Sequence, residues 1–381
     1  MNPFAKCSNA FGLDLHRRLP SQGNLVFSPA SIATALAMTW AGARGETAAE
    51  MKQTLRFEGT PDSVRLVSAQ LIASLTKSAG SVVLRIANGL FGEQSFAFEP
   101  DFLAATQEAF GSSIDRLDFK GAPDAARAVI NSWAEAHTEK RIRAVVPAGA
   151  VNTDTRLVLA NAVYFLGDWQ QPFEAEDTEP APFYLSGPDA KDVPTMHRTL
   201  RLPFAAREGL KVLELPYEGS RLSMLLLLPD DALGLPALEE SLTPEKLDAL
   251  VQVLAPIRVR VALPRFELEP LAALPLGSIL KTMGMTTAFD RWRADFTGIA
   301  NPTDPDDRLY ISEVFHKAFV RVDEKGTEAA AVTGGTTEFS WGGPPAPRAE
   351  FKADHPFLFF IRDDRTGLVV FMGRVADPSS K

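Results

Sequence analysis

The sequence predicts an α+β protein with substantial antiparallel sheet, and three observations carry that prediction. Helical and strand patterns are mixed along the chain without the strict alternation of a doubly wound sheet. The runs 157–165 and 224–228 are mostly apolar and of strand length, so they read as central strands. The runs 357–361 and 368–372 flank the charged turn 362–367 and read as an antiparallel hairpin. The 381 residues are 45% hydrophobic and 23% charged, a globular composition. No repeat and no Gly/Ser or charged linker divides them, so the chain reads as one domain over 1–381.

The helices are marked by their ends. Ser28 caps one with Pro29 at its first position, Ile32, Ala35, Leu36 and Trp40 share a face, and Gly42 ends it. Asp124 reads as the cap of a second, carrying Val129, Ile130 and Trp133. Thr243-Pro244 opens a third through Leu250, and a fourth runs from Pro275 to Met283 before Gly284. The run 258–263 mostly alternates polar and apolar, as a strand with one wet face does, and 318–322 is a further strand. The longest uncharged stretch, 19–43, contains Pro20, Asn24 and Pro29; it reads as a turn, a strand and a buried helix, and not as a membrane span.

Several function classes drop out. The net charge is −9 with no basic patch, which disfavours a nucleic-acid partner. Cys7 is the single cysteine, so neither an internal disulfide nor a zinc site built on two cysteines can form. A lone thiol fits a reducing compartment, or an extracellular protein that does not rely on disulfides. The first residues lack the apolar core of a secretory signal, so the chain is either cytoplasmic or without its signal. The nucleophile elbow, the zinc-protease helix motif and the phosphate-binding glycine loops are all missing. The histidines at 16, 137, 197, 316 and 355 never stand three or four apart, so no metal and no cofactor is expected. Ser74/Lys77 and Ser278/Lys281 match a two-letter acyl-enzyme pattern by chance, without its companion motifs. Arg362-Asp363-Asp364-Arg365 reads as a solvated turn.

One segment is unlike an ordinary connection. Between the strand at 318–322 and the C-terminal hairpin lie about 25 residues, from Glu324 to Arg348, rich in Ala, Gly and Thr. Laid out as a strand, Thr327, Ala329, Ala331, Thr333 and Gly335 share one small, uncharged face. Glu328, Ala330, Val332, Gly334 and Thr336 form the other. Such a segment can slot into a crowded sheet; taken alone, it also reads as a plain linker.

The flanking residues decide between these readings. Asn24-Leu-Val-Phe-Ser-Pro-Ala-Ser-Ile, Leu159-Ala-Asn-Ala-Val-Tyr-Phe165 with Gly167, Trp169, Pro172 and Phe173, and Ala294-Asp-Phe-Thr-Gly-Ile299 each resemble serpin family motifs. So do Ile311-Ser-Glu-Val-Phe-His-Lys317, Val322-Asp-Glu-Lys-Gly-Thr-Glu-Ala-Ala-Ala331, Phe351-Lys-Ala-Asp-His-Pro-Phe357 and Phe371-Met-Gly-Arg-Val-Ala-Asp-Pro378. The matches run in order over nearly the whole chain, and the resemblance is to an inhibitory member of prokaryotic type without disulfides.

The resemblance implies a metastable fold of about three β-sheets and eight to nine helices with an exposed reactive-centre loop, here 324–348. It implies no enzyme and no catalytic residue of its own. The loop baits a serine protease, or a cysteine protease, which attacks the scissile bond and forms an acyl enzyme; the cut loop then inserts into the central sheet and deforms the protease. Loss of even one oxyanion donor costs a protease about 3–4 kcal/mol of transition-state stabilisation, so deacylation stalls. Glu324, Gly326 and Thr327 match the hinge, and Ala329, Ala330, Ala331 and Val332 match the small residues that enter the sheet. Ser28, Ser31, Asn161 and His316 match a polar cluster beneath the strands that part. The hinge-to-bond spacing places the scissile bond at Ser340-Trp341, beside Phe339. With no Lys or Arg there, a chymotrypsin-like, elastase-like or subtilisin-like target is expected over a trypsin-like one. The resemblance also implies a monomer, no membrane and, by family habit, an extracellular setting.

Two departures stand out. Gly334-Gly335 lie inside the would-be strand, where each Gly costs about 0.5–1 kcal/mol. Lys140-Arg141-Ile142 stands where the family has Gly-Lys-Ile after a long helix, which is expected to alter a surface turn and not the mechanism. The alternatives are a non-inhibitory binder or chaperone-like protein on the same fold, and an enzyme; bulky or charged residues facing the sheet would mark the former, and Thr327, Ala329, Ala331 and Thr333 are neither.

Overall fold

The structure, a computed structural model, describes residues 2–76, 82–111, 114–185, 189–219, 221–302, 304, 307–327 and 346–380. Ala329, Ala330, Ala331, Val332, Gly334, Gly335, Phe339, Ser340 and Trp341 lie outside the described residues.

Nine α-helices occur among the described residues: α1 (Pro3–His16), α2 (Pro29–Gly42), α3 (Gly45–Thr54), α4 (Pro61–Thr76), α5 (Pro100–Phe110), α6 (Pro123–His137), α7 (Leu235–Ser241), α8 (Pro244–Gln252) and α9 (Gly277–Thr282). The strands in the first half are β1 (Leu25–Phe27), β2 (Val83–Glu93), β3 (Ile114–Leu117), β4 (Leu157–Asp168), β5 (Thr178–Tyr184) and β6 (Ala190–Arg207). Then come β7 (Leu210–Pro216), β8 (Leu222–Pro229), β9 (Ala255–Pro264), β10 (Phe266–Leu268) and β11 (Leu274–Pro275). The last are β12 (Ile311–Val322), β13 (Gly326–Thr327), β14 (Ala349–Lys352), β15 (Phe357–Asp363) and β16 (Val369–Val375).

One sheet runs β10-β12-β4-β2-β3, with β11 on β12 and β13 on β4. The other runs β1-β16-β15-β8-β7-β6-β9-β14, with β5 on β6. The three sheets of the expectation are joined as two hydrogen-bonded networks because the long strand β6 is shared. Its length pairs with β5 and β9, and its last residues, Phe204 to Arg207, turn to β7. The predicted hairpin is β15–β16, and the apolar runs become β4 and β8, every residue of β8 being buried.

Three readings of local sequence are corrected. Asp124 is not the cap of α6: Pro123, with φ already set for a helix, takes the first position behind Ala122, which offers no side-chain bond. Pro275 pairs in β11 with Phe315, so the fourth helix begins at Gly277. The one-face assignment of α2 is too narrow, since every residue of it except Ala41 is buried. Its start follows the prediction: the Ser28 hydroxyl accepts from Ser31 N–H at 3.2 Å. Helix α2 touches β2, β4 and β16 and so fills the space between the sheets. Its low side-chain volume, with five Ala in fourteen residues, allows that close approach. Among the described residues no helix is long and apolar enough to cross a membrane.

Candidate functional site

The site is a seam. Strand β12 runs parallel to β4 from Ile311↔Leu157 to Phe319↔Tyr164, and β2 flanks β4 antiparallel on its other side. The register brings His316, Asn161 and Asn88 into one row across the three strands. All three point to the face covered by α2, where Ser28 and Ser31 meet them.

The four predicted members are fully buried and form one network. Ser28 N–H donates to His316 Nε2 at 3.0 Å, which leaves Nδ1 as the protonated nitrogen facing Asn161 Oδ1. Asn161 Nδ2 donates to Ser31 Oγ and to Asn88 Oδ1, and Ser31 Oγ also donates to Asn88 Oδ1 at 3.0 Å. The Ser28 hydroxyl donates to Val370 O at 2.6 Å, tying the cluster to β16. Burial pushes the His316 pKa down to about 3, so the whole network is neutral. That matters for strands that must part. Neutral hydrogen bonds are worth about 0.5–1.5 kcal/mol each and can be exchanged, whereas a buried ion pair would lock the seam. Asn88 was not anticipated from sequence; the signal was an amide within the strand-length stretch 82–91, which Arg85 and Gly89 also interrupt, whereas Asn161 stands in the apolar run 157–165.

Above the last pair the seam is open on one side. Gly167 and Asp168, at the end of β4, pair antiparallel with Thr327 and Gly326 of β13. Gly326 is required by close approach: a Cβ there would lie 2.0 Å from Gly167 O. Thr327 is fully buried, its hydroxyl 2.9 Å from Tyr217 OH. Tyr217 stacks on Trp169 with ring centroids 4.7 Å apart and meets Phe165 edge-on at 4.9 Å. Trp169 reaches back to the hinge through Nε1 to Asp323 O at 3.0 Å, and its N–H donates to Lys325 O at 2.6 Å. Glu324 accepts from Thr178 Oγ1 and from Arg265 Nε, both at 2.5 Å. Burial would raise its carboxyl, but these hydrogen bonds outweigh that and hold it below the ordinary carboxylate range. The hinge residues Glu324, Gly326 and Thr327 are therefore held at one end of the seam and the polar cluster lies further along it. Neither Arg265 nor Thr178 was anticipated, since each reaches Glu324 from a distant part of the chain.

A family model described as serpin (serine protease inhibitor) matches residues 6–378. The chain belongs to the serpin family. The leukocyte elastase inhibitor of Bos taurus is 42% identical over 389 residues, covering 99% of this serpin and all of that protein. The solved structure of Arabidopsis AtSerpin1 in a native stressed conformation matches at a TM-score of 0.87 and 29% identity, over the full length of both chains. Human thyroxine-binding globulin, solved as a complex with thyroine, matches this serpin at a TM-score of 0.88 and 26% identity, covering 99% of each chain.

Proposed function

We propose that this serpin inhibits a serine protease of elastase-like or chymotrypsin-like specificity by trapping it as an acyl enzyme and inserting its cleaved loop between β4 and β12. The bond cut is Ser340-Trp341, with Phe339 as a neighbouring recognition residue. The observation that carries this reading is the seating of Gly326 and Thr327 on the end of β4. An inserted strand that kept the register of Gly326 and Thr327 would set residue 329 opposite Phe165, 331 opposite Val163 and 333 opposite Asn161. The small face would then turn to the core, and the Thr333 hydroxyl would arrive at the polar cluster, where it could replace a bond lost between Asn161 and His316. The names of the relatives support the target class. The free Cys7 is buried, so the mechanism needs no disulfide and suits a reducing or an oxidising compartment.

The test is incubation with elastase, chymotrypsin, subtilisin and trypsin. An SDS-resistant adduct with one of the first three, and a C-terminal fragment beginning at Trp341 that separates under denaturing conditions, are expected. The nicked protein is expected to melt well above the intact one. Complete turnover without an adduct would instead favour a non-inhibitory binding role, as the thyroxine complex of thyroxine-binding globulin exemplifies on this fold.

A further inference from the structure

The turn that departs from the family pattern at Lys140-Arg141-Ile142 lies over the seam. Helix α6 ends at His137, and Glu139 and Lys140 take left-handed backbone conformations, with φ of 51° and 64°, that fold the chain back over the sheet. The turn is tied down firmly. Arg141 N–H donates to Thr138 O at 2.9 Å, Ile142 N–H to Thr138 Oγ1 at 3.1 Å, and Ile142 is buried. Beyond it the Asn131 amide holds the backbone of Val145 and Val146. The guanidinium carbon of Arg141 thereby comes to 6.0 Å from the ring centroid of Tyr164 on β4 and 6.0 Å from that of Phe319 on β12. These two rings, 6.1 Å apart, belong to the last register pair of the parallel seam, at the end nearer β13.

We infer that Arg141 is a latch on strand insertion: one cation shared by two rings, one on each side of the seam, favours the closed sheet. Adjacent strands lie about 4.8 Å apart, so an inserted strand adds that distance between β4 and β12. The ring centroids then stand about 11 Å apart. In the register of β13 the entering residue between them is Ala330, on the same face as the rings. Arg141 keeps one ring at most, and the interaction with the other is lost in the inserted state. An exposed cation–π contact is worth about a two- to fivefold change in an equilibrium. Arg141 is a positioning residue and touches no protease.

The inference rests on the insertion reading and has a test that needs no protease. A synthetic peptide with the sequence of residues 327–338 is incubated with intact protein, and its uptake is followed by native gel shift and melting temperature. Arg141→Ala and Arg141→Met, the latter keeping apolar cover over the rings, are expected to take up the peptide about two- to fivefold faster than wild type. Both are expected to lower the melting temperature of the intact form more than that of the nicked form. Unchanged uptake, failure of wild type to take up peptide, or equal destabilisation of intact and nicked forms would overturn the latch. Adduct formation with elastase is scored separately. Faster uptake without any adduct would leave the latch standing and remove the inhibitory function; adducts with unchanged uptake would do the reverse.

Discussion

Replacing Thr327 by arginine puts a charge where the seam has no means of receiving one. Thr327 is 0% exposed and faces Tyr217, whose hydroxyl burial raises far above the ordinary tyrosine range. Losing the Thr327–Tyr217 hydrogen bond costs about 1 kcal/mol, and enclosing an unpaired guanidinium costs several kcal/mol more. The intact protein escapes most of this by releasing Gly326 and Thr327 from β4, because only two register pairs hold them. Insertion has no such escape, since this residue must enter first. A penalty of about 3–4 kcal/mol on that step slows it about 100- to 1000-fold, while acylation and hydrolysis by the protease proceed unchanged. The variant is therefore expected to be cleaved as a substrate. The assay is titration of a fixed amount of elastase or chymotrypsin with wild type, Thr327→Arg and Thr327→Ser, reading residual activity and SDS-resistant adduct. Thr327→Ser should inhibit with nearly the wild-type stoichiometry. A Thr327→Arg protein that did the same would refute the insertion argument.

Three further outcomes follow from the same structure. Replacing Gly334-Gly335 by Ala-Ala removes about 0.5–1 kcal/mol of strand penalty per residue and is expected to lower the molar ratio of inhibitor needed per protease; a raised ratio would count against their place in the inserted strand. Lys140, at φ 64°, sits in a left-handed conformation that costs an L-residue about 1–2 kcal/mol. Lys140→Gly is expected to raise the stability of the intact protein by up to about 1 kcal/mol in urea melts, the gain being limited by the extra freedom of glycine in the unfolded chain. The His316 pKa of about 3 lies below its ordinary 6.5, so the unfolded chain binds its proton first as the pH falls. Its contribution is complete above about 6.5 and declines by about 1.4 kcal/mol per pH unit towards 3. Asp364, raised by burial to about 6, acts in the opposite sense over part of that range. The quantity to read is thus the difference between wild type and His316→Gln, which should shrink as the pH falls.

The residues that sequence located best are those whose type conflicts with their surroundings. Asn161 and His316 stand out as polar residues in apolar strands, and Ser28 as a cap before proline. Asn88 carries the same signal in a weaker strand pattern, because Arg85 and Gly89 already break the apolar run. What sequence could not supply is what distant segments contribute. Trp169, Tyr217, Thr178 and Arg265 close around the hinge from four separate strands and loops, and no local pattern links them. The length of β6, shared between two sets of partners, was hidden for the same reason: Pro194 and Pro203 within it argue against a continuous strand, yet it runs through both. Local backbone rules decided the smaller errors, with Pro123 displacing Asp124 from the cap and β12 drawing Leu274 and Pro275 into a bridge ahead of α9.

The direction of β12 has an energetic consequence of its own. It meets β4 in eight parallel register pairs, the weaker and more slanted of the two ladder geometries. A segment continuing from β13 would run opposite to both neighbours, trading that one ladder for two with straight hydrogen bonds. The intact sheet is in this sense one rung-set short of its best bonding, and under the proposed insertion the same polypeptide carries the piece that completes it.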